Sequence, residues 1–149
     1  MRLIIGSDHA GLELKNKLLE HLGGKAYEVK DVGTHTTEST DYPDYAAQVA
    51  SAISAGDADL GVLVCGTGQG MAITANKVAG VRAAVCADTF TAHSTREHND
   101  ANVLCLGDRV VGSGLACEIV DAFLAAEFEG GRHARRIGKI TALEQGGQK

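Results

Sequence analysis

Leu60-Gly61-Val62-Leu63-Val64-Cys65-Gly66-Thr67-Gly68-Gln69-Gly70-Met71 is the stretch that decides the fold. Its first half, Leu60–Val64, is a short apolar run of the kind that forms a strand buried on both faces. Cys65–Gly70 changes character, because glycine at every second position removes Cβ atoms and lets backbone N–H groups converge on one point. From Met71 to Lys77 the pattern is helical. A strand that passes through a glycine loop into a helix N-terminus makes an anion site, since unsatisfied amides and the helix dipole point the same way. Cys65 stands at the mouth of that site, where the same field favours a thiolate. The bland reading is a turn that lets strand and helix pack closely, with Cys65 as an ordinary core thiol.

Three familiar phosphate loops fit this stretch badly or not at all. A dinucleotide fingerprint needs Gly-x-Gly-x-x-Gly, but here the third glycine position is Met71. Asp88 does stand about where a ribose-binding acid would, so that reading is weakened rather than removed. Gly6–Gly11 has the glycine spacing of a P-loop, but Leu12 replaces the required lysine. A cysteine phosphatase loop would need an arginine where Met71 stands.

Outward from this loop, strand and helix alternate. Arg2–Gly6, Ala26–Gly33, Leu60–Val64, Gly80–Cys86 and Asn102–Gly107 read as strands, the second less continuous and so nearer a lateral edge. Helices are expected over Ala10–Leu22, Ala46–Ala55, Met71–Lys77, Asp88–Glu97 and Ser113–Ala126, with a basic helical tail over about 130–149. Five short-linked repeats of this kind predict an α/β fold, a Rossmann-like doubly wound five-stranded parallel sheet with helices on both faces. The 149 residues suit one domain.

Composition narrows the function. A net charge of −5, an aromatic content of 4% and no tryptophan argue against a nucleic-acid binder. No apolar run approaches a membrane span, and because Met1-Arg2 leads straight into a strand no signal peptide is expected. Cys65, Cys86, Cys105 and Cys117 lack CxxC spacing, so reduced thiols and a cytoplasmic home are expected.

Several polar residues stand where chemistry could use them. Asp8 and His9 follow the first strand, on the side where open α/β sheets place ligands, although Asp8 could equally cap the next helix. His93 and His98 are five apart, which puts them on different helix faces, so no metal site is expected. His98 sits at a helix end just before the fifth strand, as a dipole-stabilised surface residue or as a proton donor near neutral pH. Arg132 and Arg136 are four apart in an acid-free stretch from Gly130 to Lys139, so on a helix they share one face and could grip a phosphate. A thiol base, an amide cradle, an acid-capable histidine and an arginine grip together suit proton shuttling beside a carbonyl, where an enediolate must be stabilised.

GSDHAG, TDYPDYA, CGTGQGM with ANK after it, REHNDANVL, GDRVVG and EGGRHARRI occur in order along nearly the whole chain. In these motifs the sequence resembles the type B ribose-5-phosphate isomerases, within the sugar-phosphate isomerase family that also includes galactose-6-phosphate and allose-6-phosphate isomerases. The resemblance implies a Rossmann-like homodimer with sites between subunits, paired into tetramers in some members, and no cofactor or metal. It implies that Cys65 moves a proton between C2 and C1 of the open-chain sugar. His98 would help to open the furanose ring, with Thr67 nearby and Asp8 on ring or hydroxyl oxygens. Amides of Gly66, Thr67, Gly68, Gln69 and Gly70 would hold the enediolate, while His9, Arg132 and Arg136 take the phosphate and Asn99 and Arg109 complete the pocket. One branch of the family replaces the cysteine by a glutamate just after the glycine loop; Cys65 and Met71 place this chain in the cysteine branch. The expected activity interconverts D-ribose 5-phosphate and D-ribulose 5-phosphate. A six-carbon sugar phosphate such as allose 6-phosphate is the alternative within that chemistry, and a non-catalytic nucleotide- or phosphate-binding module is the alternative outside it.

Overall fold

The computed structural model describes residues 1–146. Five strands, β1 (Arg2–Ser7), β2 (Glu28–Asp31), β3 (Leu60–Cys65), β4 (Ala83–Val85) and β5 (Val103–Gly107), pair in the order β2-β1-β3-β5-β4, and all pairings are parallel. Parallel strands of one sheet need crossovers, and helices supply them. Those helices are α1 (Leu12–Leu22), α2 (Tyr42–Ala55), α3 (Gln69–Ala75), α4 (Thr89–Asn99) and α5 (Ser113–Ala125), followed by α6 (Arg132–Glu144).

Side chains leave a strand alternately to its two faces, so β3 feeds two cores. Leu60, Val62 and Val64 join Leu14, Leu18 and Leu22 of α1, Ala92 of α4, and Ile119, Val120 and Phe123 of α5. Leu63 and Cys65 join Val49, Ala50 and Ile53 of α2 and Met71, Ala72 and Ala75 of α3. Every residue of β3 and β5 is buried, whereas β2 and β4 lie at the lateral edges and are only partly covered. The expected doubly wound α/β fold is the fold observed.

Several boundaries differ from the sequence reading for identifiable reasons. The first helix does not begin at Ala10: His9–Gly11 form a 3-10 turn, capped by Asp8 Oδ1, which accepts from Ala10 N (3.0 Å) and Gly11 N (3.1 Å). Gly11 lies so close to the β3 backbone that a Cβ there would stand 2.6 Å from the Val64 carbonyl. The second helix starts at Tyr42 rather than Ala46, with Pro43 inside its first turn, where a missing N–H and a fixed φ cost nothing. The helix after the glycine loop starts at Gln69 rather than Met71 and ends at Ala75, the second strand shrinks to Glu28–Asp31, and the fourth shrinks to Ala83–Val85 because it has a neighbour on one side only. Residues 147–149, the end of the expected tail, lie outside the described residues.

Lys15 on α1 is fully buried, a position that the leucine pattern did not single out. Its Nζ donates to Asp31 Oδ2 at 2.6 Å, and Asp31 Oδ1 accepts from Gly33 N at 2.8 Å. A buried ammonium is tolerable only when paired in this way. The pair pins the exit of β2, where Gly33 and Thr34 bond to the backbone of Ser7 beside Asp8.

Candidate active site

Because the strands are parallel, all five carboxyl ends lie on one side of the sheet, and β1, β3 and β5 deliver their following loops there together. Cys65 ends β3 and is paired with Gly107, the last residue of β5. Its Sγ accepts a hydrogen bond from Gly68 N at 3.1 Å. Gly68, at φ 79°, turns the chain into α3 so tightly that a Cβ there would stand 3.0 Å from the Leu106 backbone. Gly66 lies under Arg109, whose Cζ would be 3.4 Å from a Cβ at that position, and Gly70 lies under the Tyr42 ring, at 2.7 Å. The alternate glycines therefore admit a guanidinium and a phenol ring to the loop backbone, as well as making the turn. No local sequence signal pairs Tyr42 with Gly70; their neighbourhood is a tertiary fact.

The amide cradle is partly occupied from within. Gly68 N is committed to the sulfur, and Gln69 N faces the Thr67 hydroxyl at 3.4 Å. Asp8 is buried, and both of its cap bonds use Oδ1. His9 is fixed by Thr40: Thr40 Oγ1 accepts from His9 N at 3.1 Å, and the His9 Nδ1 lies 3.1 Å from Thr40 N and 3.3 Å from Thr40 O. Nδ1 can accept from that amide when unprotonated or donate to that carbonyl when protonated, so the ring keeps its place and its Nε2 remains a donor in both states. Asp88, the acid that a dinucleotide site would need, is spent on capping α4, where Oδ1 accepts from Thr91 N at 2.7 Å.

His98 and Asn99 end α4 at the other end of the sheet. The helix leaves the carboxyl end after β4 and returns to the amino end to start β5, so its last turn is separated from Cys65 by the length of a strand, about 15–20 Å. α6 lies at that same end, with Glu144 Oε2 accepting from Gly80 N just ahead of β4 and Glu129 N bonded to Glu97 O. His98 stacks on His133, with ring centroids 4.4 Å apart and planes 11° from parallel. Glu129 Oε2 lies 3.9 Å from His98 Nε2 and 3.5 Å from His133 Nε2, and Arg132 Nε lies 3.5 Å from the latter. Burial first, then the charges of His98 and Arg132, lower the pKa of His133 and favour its neutral form.

His98, Glu129 and His133 bring three ligand atoms within 4.8 Å of one another. A metal, however, lies close to the plane of each imidazole that binds it, about 2.0–2.1 Å from the nitrogen. Two stacked, nearly parallel rings have no such common point, so the trio as arranged is a hydrogen-bonding cluster. His93, which lies on α4 with His98, is not part of this cluster and is paired with Glu97 at 3.1 Å.

Of the residues singled out from sequence, one chain thus assembles Asp8, His9, Cys65, Gly66, Thr67, Gly68, Gln69, Gly70 and Arg109 at the carboxyl end, and His98, Asn99, Arg132 and Arg136 at the amino end. Among the described residues, no carboxylate pairs with the guanidinium of Arg109, Arg132 or Arg136. Each end therefore holds guanidinium groups without a carboxylate partner among the described residues.

Comparison with known proteins bears on both halves. The ribose/galactose isomerase family model matches residues 3–140. Ribose-5-phosphate isomerase B of Escherichia coli is 52% identical over 144 residues, covering 97% of each chain. The structure of Clostridium thermocellum ribose-5-phosphate isomerase B superposes with a TM-score of 0.97 at 53% identity, over 99% of this chain and 100% of that one. Ribose-5-phosphate isomerase B of Mycoplasma genitalium with bound ribulose-5-phosphate matches with a TM-score of 0.93 at 48% identity, over 97% of each chain.

Proposed function

This chain belongs to the ribose/galactose isomerase family, and from that premise we infer that it interconverts D-ribose 5-phosphate and D-ribulose 5-phosphate. The observation that carries the reading is Cys65, a thiol on a strand end whose sulfur faces the amides of a glycine loop.

Each residue then has a task that its surroundings suit. In ribose 5-phosphate the ring closes through O4, so His98 donates a proton to O4 as the C1–O4 bond breaks, while Asp8 Oδ2 accepts from the sugar hydroxyl that becomes the aldehyde. Cys65 as thiolate removes the proton on C2, and the electron pair moves through C1=C2 onto O1. The amides of Gly66, Thr67 and Gly70 are left to meet that oxyanion while Gly68 steadies the sulfur. The thiol returns its proton to C1, and the O2 proton passes to O1, which leaves the ketone at C2. His9, Arg132 and Arg136 hold the phosphate, with Asn99 and Arg109 beside the sugar, and the step needs no cofactor.

Two subunits supply one site in this reading. Cys65 and His98 lie at opposite ends of one chain, and a two-fold dimer brings the carboxyl end of one protomer against the amino end of its partner. Apolar side chains are exposed at both ends, including Phe90 (77%) and Val110 (57%) at one and Leu143 (77%) at the other. In such a dimer these exposed apolar side chains would lie at the facing ends and lose contact with water. We also take the chain to be one sugar-phosphate isomerase domain that works in the cytoplasm; among the described residues no helix is long and apolar enough to cross a membrane.

The test is an isomerase assay on ribose 5-phosphate beside allose 6-phosphate, with Cys65→Ala as the control. The native protein should favour the five-carbon sugar. The variant should still bind it and lose at least about a thousandfold in turnover, as expected when a proton-transferring group is removed. Wild-type turnover by Cys65→Ala removes the assignment, and dinucleotide binding without isomerisation favours the binding module.

A further inference from the structure

α4 ends on an unusual residue. Asp100 is, among the described residues, the one non-glycine residue with positive φ (45°), and it immediately follows His98-Asn99. Glycine closes a helix in this conformation without strain, whereas an L side chain resists it. The carboxylate explains why aspartate is tolerated. Arg82 Nη2 donates to Oδ2 at 2.8 Å and Arg96 Nη1 donates to Oδ1 at 2.7 Å, so two guanidiniums from different parts of the chain hold one side chain.

The clasp extends to the backbone. Arg82 Nε donates to the carbonyl oxygens of Asn99 (3.1 Å) and Asp100 (2.8 Å), and Arg96 Nη1 donates to that of Ala101 (2.8 Å). Arg82 is itself anchored ahead of β4, where its N–H donates to Asn102 Oδ1 at 2.7 Å, and the Arg96 guanidinium lies over the Phe123 ring at 5.8 Å. All three charged side chains are at most about one-third exposed, which makes charge-assisted bonds hold better than surface pairs.

We infer that Asp100, clasped by Arg82 and Arg96, is a positioning residue for His98 and Asn99, fixing the last turn of α4 so that the histidine presents its ring to the sugar of the neighbouring half-site. Merely ending the helix would need only a glycine. Five bonds onto residues 99–101 specify where the turn points, and the surplus positive charge of two arginines on one carboxylate favours an anionic substrate at that place. The inference rests on the ring-opening role given to His98.

Ribulose 5-phosphate separates ring opening from the proton transfer. Its O5 carries the phosphate, so it cannot close into a furanose, and exchange of its C1 hydrogen with deuterated water reports on Cys65 without any ring step. Asp100→Gly keeps the left-handed turn and the backbone acceptors but removes the carboxylate that joins the two arginines; Arg82→Lys keeps Asp100 and loses the three-bond guanidinium. Both should lose at least about tenfold more in ribose 5-phosphate turnover than in C1 exchange of ribulose 5-phosphate, the same split expected of His98→Asn. Equal losses in the two assays, or no loss in either, for a folded variant overturn the inference. If His98→Asn shows the split and the clasp variants do not, the inference alone falls. If His98→Asn shows no split, the ring-opening reading falls and takes the inference with it. Should Asp100→Gly fail to fold, Arg82→Lys decides.

Discussion

Cys65 differs from the other three cysteines in what surrounds its sulfur. Burial is the largest cause pushing the Cys105, Cys86 and Cys117 thiols up, so they stay protonated and inert. The Cys65 sulfur accepts a backbone N–H where β3 gives way to the loop. His133 shows the opposite balance. Burial, followed by the charges of His98 and Arg132, lowers its pKa and so favours the neutral form in the folded chain, with Glu129 opposing them and Arg136 adding to them. On unfolding it regains its ordinary pKa and binds a proton more readily, so the stability it contributes is complete above the ordinary histidine range and is lost as pH falls through the lower folded value. His133→Phe keeps a flat ring against His98 but cannot titrate. Its melting temperature should therefore fall less than that of the native protein between about pH 7 and about pH 5; parallel curves from differential scanning calorimetry would contradict this.

At the scale of elements, the unit β3–loop–α3 carries the centre of the fold and, in the proposed mechanism, the proton transfer. Gly68 is its narrowest point, with a left-handed backbone and the Leu106 backbone 3.0 Å from where a Cβ would be. Gly68→Ala should cost about 1–2 kcal/mol from the backbone conformation alone, more from the contact, and should reduce turnover by misplacing the amide that faces Cys65. Denaturant unfolding and the isomerase assay measure the two effects, and a variant with native stability would contradict the packing. This unit was legible in sequence because an apolar run, alternating glycines and a helical period follow one another without a gap. The 3-10 turn at His9–Gly11 was not legible, since it depends on Gly11 meeting the Val64 backbone. Lys15 was hidden because a lysine among leucines reads as a surface residue until its partner on β2, Asp31, is seen. Pro43 sits in the first turn of α2, where proline is compatible with a helix start, so the helix begins four residues before the apolar period that marks it in sequence.

At the scale of the whole molecule, the division of the proposed site follows from chain order in a parallel sheet. A residue just after a strand and a residue just before one must lie at opposite ends, and Cys65 follows β3 while His98 precedes β5. Sequence order held that information, but it becomes a statement about space only when all strands are known to be parallel. The clasp on Asp100 was only half accessible: Arg96 is one helical turn from Asp100, but Arg82 reaches it only after β4 and β5 pair. The central claim is that each working site takes Cys65 from one protomer and His98 from its partner. Subunit complementation tests it most directly: Cys65→Ala and His98→Asn proteins, each inactive on ribose 5-phosphate, are unfolded, mixed in equal amounts and refolded together. Random reassortment makes about half of the dimers mixed, and each mixed dimer has one intact site of two, so about a quarter of native activity should return. Activity no greater than that of the two variants refolded separately would show that the two residues do not serve a shared site.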